Sequence, residues 1–214
     1  MSKDWQLRGF PLMKNIIPEG QSGEYAIEHY NIPEDKANFA VMKATYNRDY
    51  LGREIFAGDF CKLTYGNTIV MSDSGGERYS NTEIVRVAQG DVLIAGLGLG
   101  MILCAILPKP EVKSVTVIEL SNDVCTLVLP HLTKYLGNDV TKLQVHAGDI
   151  FSYTPTRKYS VIYFDIWNNY SGDTYEETKV LHRRYSKHLD RTNGHYMGSW
   201  MRWHMKELHF GDRY

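Results

Sequence analysis

The feature that most constrains this 214-residue chain is a glycine-rich segment that joins a predicted strand to a predicted helix. Residues 92–100 read VLIAGLGLG, and the apolar segment 101–107 reads MILCAIL. Gly96 and Gly98 allow a tight turn and place no side chain between the backbone and a ligand. The start of the helix offers unpaired N–H groups. A strand, a glycine turn and a helix in this order are typical of α/β folds that bind nucleotides.

The spacing of the glycines separates two kinds of nucleotide-binding loop. The dinucleotide pattern G-x-G-x-x-G would place its third glycine at position 101, which is Met101 in this chain. The third glycine is Gly100 instead, so the pattern is G-x-G-x-G. A tight turn in an unrelated α/β domain remains the alternative at this point.

Composition and charge limit the class of protein. Hydrophobic residues make up 43% of the chain and charged residues 23%, which predicts a packed domain with an extension. The net charge of −1 predicts no general attraction to nucleic acid or to an anionic membrane, and no segment has the roughly 18 apolar residues of a membrane span. Cys61, Cys104 and Cys125 lie far apart, so we expect reduced thiols, a cytoplasmic location and no bound metal.

The first 80 residues predict an extension that precedes the glycine loop. Residues 1–32 are interpreted as an arm that packs on another surface. Asn31 is predicted to cap a helix that runs to about Asn47. Gly66-Asn67 is a two-residue hairpin signal between the strand-like segments 60–65 and 68–71. Residues 72–76, which read SDSGG, are interpreted as a loop. We therefore predict an N-terminal domain over residues 1–80 that contains an arm, a helix and a β-hairpin.

The remainder, residues 81–214, is predicted to be a Rossmann-like domain. Predicted strands follow the glycine loop at 114–120, 143–149, 159–165 and 195–201. Predicted helices occupy 81–88, 122–136 and 173–189, and the second of these is expected to break or kink at Pro130. Strands that alternate with helices favour an α/β fold with a doubly wound, mostly parallel sheet.

Three of these strands end in an acidic residue. Ligands of open α/β sheets bind outside the carboxyl ends of the strands, so Glu119, Asp149 and Asp165 are expected to face one site. Glu119 lies 19 residues after Gly100, where a carboxylate can accept hydrogen bonds from both hydroxyls of a ribose. Asp149 can accept from the exocyclic amine of adenine. Acidic residues are also common where strands become loops, so the interpretation depends on the joint pattern.

With these residues in view, the segment from about residue 77 to residue 201 resembles a class I S-adenosylmethionine-dependent methyltransferase. The stretch Glu77-Arg78-Tyr79 ahead of the glycine loop is similar to the spermidine synthase branch. The resemblance implies S-adenosylmethionine as cofactor, and it implies Asp165, Trp167 and Tyr170 as residues of the active site. It also implies a set of cofactor-binding residues: Gly96, Leu97, Gly98, Gly100, Glu119, Leu120, Asp149, Ile150 and Asp165.

Two departures from the resembled pattern keep three functions open. Aminopropyltransferases of the branch carry an aspartate where this chain has Leu99, and methyltransferases usually carry an acid where it has Ile94. The leading hypothesis is methyl transfer to a small-molecule acceptor, with Asp165 as base or amine-orienting group. The alternatives are an aminopropyltransferase-like polyamine enzyme and a non-catalytic protein that binds S-adenosylmethionine or another nucleotide. A nucleic-acid partner is not expected.

The C-terminal region raises two further expectations. The resembled family closes its sheet with a C-terminal hairpin, but only 13 residues follow Met201 here. We therefore expect residues 1–30 of the same or a neighbouring subunit to cover the last strand, within a homodimer. Residues 179–214 contain eight Lys or Arg and three Asp or Glu. This excess of positive charge is interpreted as a solvated helix face or as a patch for an anionic substrate or nucleic acid.

Overall fold

The computed structural model describes residues 8–47, 52–169, 171–192 and 194–211. Backbone contacts divide the chain into two compact units. The first contains Met1–Val85, Gly98–Ala105 and Asp123–Gly137, and the second contains Arg86–Leu97, Ile106–Asn122 and Asn138–Tyr214. The domain boundary at residue 80 stays a prediction. In the parts of the chain that the structure describes, every helix is too short or too polar to cross a lipid bilayer.

The first unit contains a four-stranded antiparallel sheet in the order β1-β2-β3-β4. Its strands are β1 (Gly20–Ser22), β2 (Tyr25–Ile32), β3 (Gly58–Tyr65) and β4 (Thr68–Ser72). The predicted hairpin is confirmed as β3 and β4. The interpretation of residues 1–32 as an arm is wrong for residues 20–32, because β2 pairs with β3 along its whole length. The sequence did not reveal β2 because Ile27 is its only fully buried residue, so the strand lacks a clear apolar alternation.

The predicted helix after β2 is confirmed as α1 (Glu34–Asn47), but its predicted cap is wrong. Asn31 belongs to β2, and its side-chain nitrogen donates to the Gly58 carbonyl and to Asp59 on the neighbouring strand. A side chain that is engaged across the sheet cannot also close the first turn of the helix.

Two short helices follow the hairpin: α2 (Gly75–Ser80) and α3 (Thr82–Val87). The predicted helix over 81–88 is confirmed, but residues 72–76 were expected to be a loop, and α2 begins inside them. Gly75 explains the difference. A Cβ atom on Gly75 would lie 1.8 Å from the carbonyl oxygen of Glu54, so this glycine is required by close packing. Gly75 is therefore explained by its close contact with the Glu54 carbonyl and not by a turn of the chain.

A buried ion pair organises the first unit. Asp73 and Arg78 are both fully buried, and Asp73 Oδ2 lies 3.2 Å from Arg78 Nη2. The Asp73 carboxylate also accepts hydrogen bonds from the backbone N–H groups of Met13 and Cys61, at 2.9 and 2.6 Å. Burial raises the pKa of Asp73, and these three donors oppose that rise. One carboxylate thus joins three separate stretches of chain, around residues 13, 61 and 78.

The helix α5 (Asn122–Leu136) is continuous through Pro130, so the predicted break is wrong, and the alternative of a kink stays a prediction. Pro130 lies on the exposed side of the helix, where water can replace the hydrogen bond that proline cannot donate. The opposite side is apolar, and its buried residues recur every four positions: Val124, Val128, Leu132 and Leu136. Within the first unit, Asp123 near the start of the helix accepts a hydrogen bond from Ser22 of β1.

The second unit contains a five-stranded sheet in the order β7-β6-β5-β8-β9, and all its strand pairs are parallel. Its strands are β5 (Gly90–Ala95), β6 (Val112–Glu119), β7 (Leu143–Ala147), β8 (Val161–Phe164) and β9 (Tyr196–Ser199). The predicted α/β class is confirmed. The strand order reverses beside β5, and such a point is where open α/β sheets bind their ligands.

Three helices follow strands of this sheet along the chain: α4 (Met101–Ile106), most of which belongs to the first unit, α6 (Gly172–Tyr185) and α7 (Arg202–Gly211). Ser171 caps α6, because its hydroxyl accepts a hydrogen bond from the Thr174 N–H while the Thr174 hydroxyl accepts one from the Ser171 N–H. Tyr185 at the end of α6 is buried in the core of the unit and donates its hydroxyl to the Ile150 carbonyl at 2.7 Å. This bond fixes α6 beside the segment that follows β7.

The helix α7 was not predicted from the sequence. It begins directly after Met201, which has a φ of +49° and is 4% exposed. Residues 20–32 of the predicted arm pair within the antiparallel sheet. The covering of β9 by residues 1–30 of the same or a neighbouring subunit stays a prediction. Residues 1–7 of the predicted arm lie outside the described residues. The homodimer stays a prediction.

The buried carboxylate of Asp73 generates a stability prediction. Asp73→Ala should lower the free energy of unfolding by about 3–5 kcal/mol, because it leaves the Arg78 cation buried without its partner. Urea denaturation followed by circular dichroism measures the loss. Glu28→Ala is the matched control, since Glu28 forms a partly exposed ion pair with Lys62 in the sheet of the same unit, and it should cost about 1 kcal/mol or less. Equal losses in the two variants would contradict the central role of Asp73.

Candidate active site

The carboxyl ends of β5, β6 and β8 meet through their backbones. The Gly96 N–H donates to the Ile118 carbonyl at 2.9 Å, and the Asp165 N–H donates to the Ala95 carbonyl at 2.8 Å. Gly96 has a φ of +94°, and a Cβ atom there would lie 2.0 Å from the carbonyl oxygen of Asp165. Only glycine allows both the turn and this close approach. The near neighbour of Gly96 is thus the protein's own backbone, where the sequence led us to expect a ligand.

The carboxylate of Glu119 holds the start of the glycine loop. Glu119 ends β6 and is 8% exposed. Its Oε2 atom accepts a hydrogen bond from the Leu97 N–H at 2.7 Å, and its Oε1 atom accepts one from the Ser121 N–H at 2.8 Å. Since a carboxylate oxygen can accept two hydrogen bonds, each oxygen keeps capacity for one further donor. Leu97 itself is buried, so it takes part through its backbone.

Leu120 follows Glu119 and is 74% exposed, which is unusual for a large apolar residue at the end of a buried strand. Asp149 lies two residues beyond β7 and is also exposed. Its Oδ1 atom accepts a hydrogen bond from the Phe151 N–H at 2.8 Å. Ile150, between Asp149 and Phe151 in the chain, is 3% exposed and packs in the core of the second unit. Of these three predicted cofactor-binding residues, Leu120 and Asp149 are therefore accessible and the Ile150 side chain is not.

The other two glycines of the loop belong to the first unit, where they accommodate side chains. Gly98 and Gly100 have φ values of +50° and +70°. Cβ atoms on them would lie 2.3 Å from Met71 Sδ and 2.2 Å from a methyl carbon of Leu132. The Leu99 N–H between them donates to Met71 Sδ at 3.3 Å. Their predicted contact with a cofactor stays a prediction.

Asp165 follows β8 and is partly exposed. Its carboxyl group, unlike the residue as a whole, is buried. This burial raises the pKa of the carboxyl group to about 7, because the charged form is poorly solvated there. A carboxyl group that titrates near neutrality can accept or return a proton at physiological pH. Trp167 is close by in the chain, and its Nε1 donates to Glu177 of α6 at 2.6 Å. Tyr170, the third predicted residue of the active site, lies outside the described residues.

A pair of polar residues at the end of β9 was missed by the sequence interpretation. Ser199 is the last residue of β9, and its Oγ atom lies 2.8 Å from Nε2 of His182 in α6. Burial, together with the positive charge of Arg202, lowers the pKa of His182 to about 4, so the imidazole is neutral at pH 7. The two residues are 17 positions apart and match no local motif, so only the fold could bring them together. Among the described residues, no group of three or more His, Cys, Asp or Glu side chains is placed to hold a metal ion.

No protein-family model matches the sequence, and a search of curated proteins gives no significant match. The structure is partly similar to several solved structures. The glycopeptide N-methyltransferase MtfA in complex with sinefungin has a TM-score of 0.43 and 18% identity, over 56% of this chain and 47% of that chain. The DhpI–SAH complex has a TM-score of 0.41 and 14% identity, over 73% of this chain and 63% of that chain.

The N-methyltransferase NodS from Bradyrhizobium japonicum WM9, in complex with S-adenosylhomocysteine, has a TM-score of 0.41 and 17% identity, over 53% of this chain and 57% of that chain. This chain spans about half the length of the MtfA and NodS chains that it matches. Likeness at these scores and identities does not establish a shared family or activity.

Proposed function

We propose that this chain binds S-adenosylmethionine at the carboxyl ends of β5, β6 and β7 and catalyses methyl transfer to a small molecule. The observation that carries the proposal is the Glu119 carboxylate, which is hydrogen-bonded to the first turn of the glycine loop and keeps capacity on both oxygens. In this position it suits the two hydroxyls of a ribose, whose donors are spaced for the two oxygens of one carboxylate.

The neighbouring residues fit the remainder of an adenosyl group. Leu120 offers an exposed apolar surface beside Glu119, suited to the face of a purine ring. Asp149 is exposed and uses one carboxylate oxygen to accept from Phe151 N–H, so the other suits an exocyclic amine. Ribose and adenine are thereby matched by separate residues at the carboxyl ends of the adjacent strands β6 and β7.

S-adenosylmethionine supplies an electrophilic methyl group on a positively charged sulfur. The protein contributes mainly position, because alignment of acceptor and methyl group removes most of the entropic barrier. Asp165 contributes a proton acceptor. With its pKa near 7, a substantial fraction is ionised at neutral pH and can take a proton from an amine or hydroxyl acceptor.

One observation favours a second candidate, a protein that binds S-adenosylmethionine without turnover. Ile94 and Leu99 replace the acids of the resembled families, and both are at most 1% exposed. The two positions are packed apolar sites in this chain. The same observation weakens the aminopropyltransferase alternative, because a cationic polyamine needs carboxylates to hold it and position 99 offers none.

The role of Glu119 predicts a loss of binding on its removal. Glu119→Ala removes two charge-assisted hydrogen bonds worth about 1.5–3 kcal/mol each, so the affinity for S-adenosylmethionine should fall at least roughly tenfold. Isothermal titration calorimetry measures the dissociation constant. Glu111→Ala is the matched control, since Glu111 pairs with Lys109 on the surface of the same unit, and its affinity should match the wild type. An unchanged dissociation constant in a folded Glu119→Ala variant would exclude Glu119 from the site.

The role of Asp165 predicts a loss of turnover with little loss of binding. In a screen of small-molecule acceptors by mass spectrometry, Asp165→Asn should lower turnover by about 10²–10⁴-fold. The wild-type rate should rise with pH through about 7 as Asp165 loses its proton, and the variant should lack this rise. Asp173→Asn, which changes an exposed acid in the first turn of α6, serves as control. Absence of turnover with every acceptor would favour the binding protein, and products from decarboxylated cofactor alone would favour aminopropyl transfer.

A further inference from the structure

A hydrogen-bonded pair lies at the carboxyl end of β9, next to the strand that carries Asp165. Ser199 pairs with Phe164 in the sheet register, and the Phe164 ring lies 5.6 Å from the ring of His182. His182 is therefore held by two adjacent strands, through its hydrogen bond to Ser199 and its contact with Phe164. Asp165 follows Phe164 directly. The pair and the proposed proton acceptor therefore lie at the carboxyl ends of two neighbouring strands, β9 and β8.

The pair keeps one hydrogen to donate whichever way it is protonated. If Ser199 donates to Nε2 of His182, the hydrogen of the imidazole is on Nδ1. If Nε2 donates to Ser199 instead, the hydroxyl hydrogen is available. Because the pKa of His182 is lowered to about 4, the imidazole does not become a second cation at neutral pH. The pair is thus a neutral donor. Arg202 lies three residues after Ser199 in the chain, and its guanidinium contacts Tyr175, which precedes His182 by two turns of α6.

Arg202 is a cation without an anionic partner among the described residues. It is the first residue of α7, and its guanidinium lies 5.2 Å from the ring centre of Tyr175. Its Nε atom is buried and makes no hydrogen bond there. A buried donor of this kind costs free energy unless a partner accepts from it. The residue as a whole is partly exposed.

We propose that Arg202, together with the Ser199–His182 pair, binds a carboxylate group of the methyl acceptor. The identification of this group as part of the acceptor rests on the proposed function; the anion site itself does not. A guanidinium offers parallel N–H donors that match the two oxygens of a carboxylate, and the neutral pair adds one more donor. A single cation beside neutral donors balances a monovalent carboxylate, whereas a dianionic phosphate calls for more positive charge. The acceptor is therefore a carboxylic acid whose reacting amine or hydroxyl extends toward Asp165.

The test uses the full chain without S-adenosylmethionine and observes the His182 imidazole by NMR, with the resonance assigned by its loss in His182→Gln. Sodium acetate is the probe, and acetamide, which has nearly the same shape but no charge, is the control ligand. Acetate should shift the His182 resonance saturably and raise the pKa of His182 by about one unit or more, because it neutralises Arg202. Acetamide should do neither. Sodium phosphate at equal ionic strength should bind at least roughly tenfold more weakly than acetate.

Variants of Arg202 separate this site from a general effect of salt. Arg202→Gln should abolish the acetate response and raise the pKa of His182 in the absence of acetate. Arg202→Lys, which keeps the charge, should retain a weaker response. Arg183→Gln, which removes the exposed arginine next to His182 in the chain, should behave as the wild type. The proposal is overturned if acetate gives no saturable shift, if the shift persists in Arg202→Gln, or if phosphate binds as tightly as acetate.

The binding measurement also keeps the two proposals apart. A saturable acetate site in a protein that does not bind S-adenosylmethionine would retain the anion site and overturn the proposed function. Binding of S-adenosylmethionine without an acetate response would retain the function and overturn the carboxylate site.

Discussion

The close backbone approach of Gly96 to Asp165 is the contact on which the arrangement of the site depends. The carbonyl oxygen of Asp165 occupies the space of a Cβ atom on Gly96, and flanking hydrogen bonds join this point to β6 and β8. Any other residue at position 96 would push the two strand ends apart. The direction in which the chain leaves β5 and the position of Asp165 after β8 are therefore set together. This is a constraint of backbone geometry, and it holds before any ligand is considered.

Glu119 and Arg202 show how charge is distributed along the carboxyl ends of the parallel strands. The Glu119 carboxylate is satisfied in part by two backbone donors, so its charge is stabilised by the protein while its oxygens can accept more. Arg202 has no such compensation among the described residues, and its field lowers the pKa of His182. In the proposed function, the carboxyl end of β6 binds the ribose hydroxyls, and the residues beyond β9 bind an acceptor carboxylate. Asp165, with its pKa near 7, follows β8, which lies between β6 and β9 in the sheet.

The parallel sheet could be predicted from the sequence because its strands are continuous apolar segments that alternate with helices. The acids that end β6 and β8 followed from the same pattern. The strand β2 could not be predicted, since most of its residues are polar or partly exposed and only pairing with β3 makes it a strand. Gly75 was read as a loop residue because sequence does not distinguish a glycine that turns the chain from one that packs against a carbonyl. The Ser199–His182 pair and the cation of Arg202 depend on contacts between residues distant in the chain, which no local pattern reports.

The proposed function depends on recognition of an adenosyl group attached to methionine, and not of a dinucleotide, by Glu119 and the first turn of the glycine loop. Calorimetric titration of the same protein preparation with S-adenosylmethionine, S-adenosylhomocysteine and NAD tests it most directly. We expect saturable binding of the first two compounds and none of NAD, because the loop has the spacing G-x-G-x-G and one acid is placed for one ribose. Saturable binding of NAD, with no heat from either adenosyl compound, would contradict it.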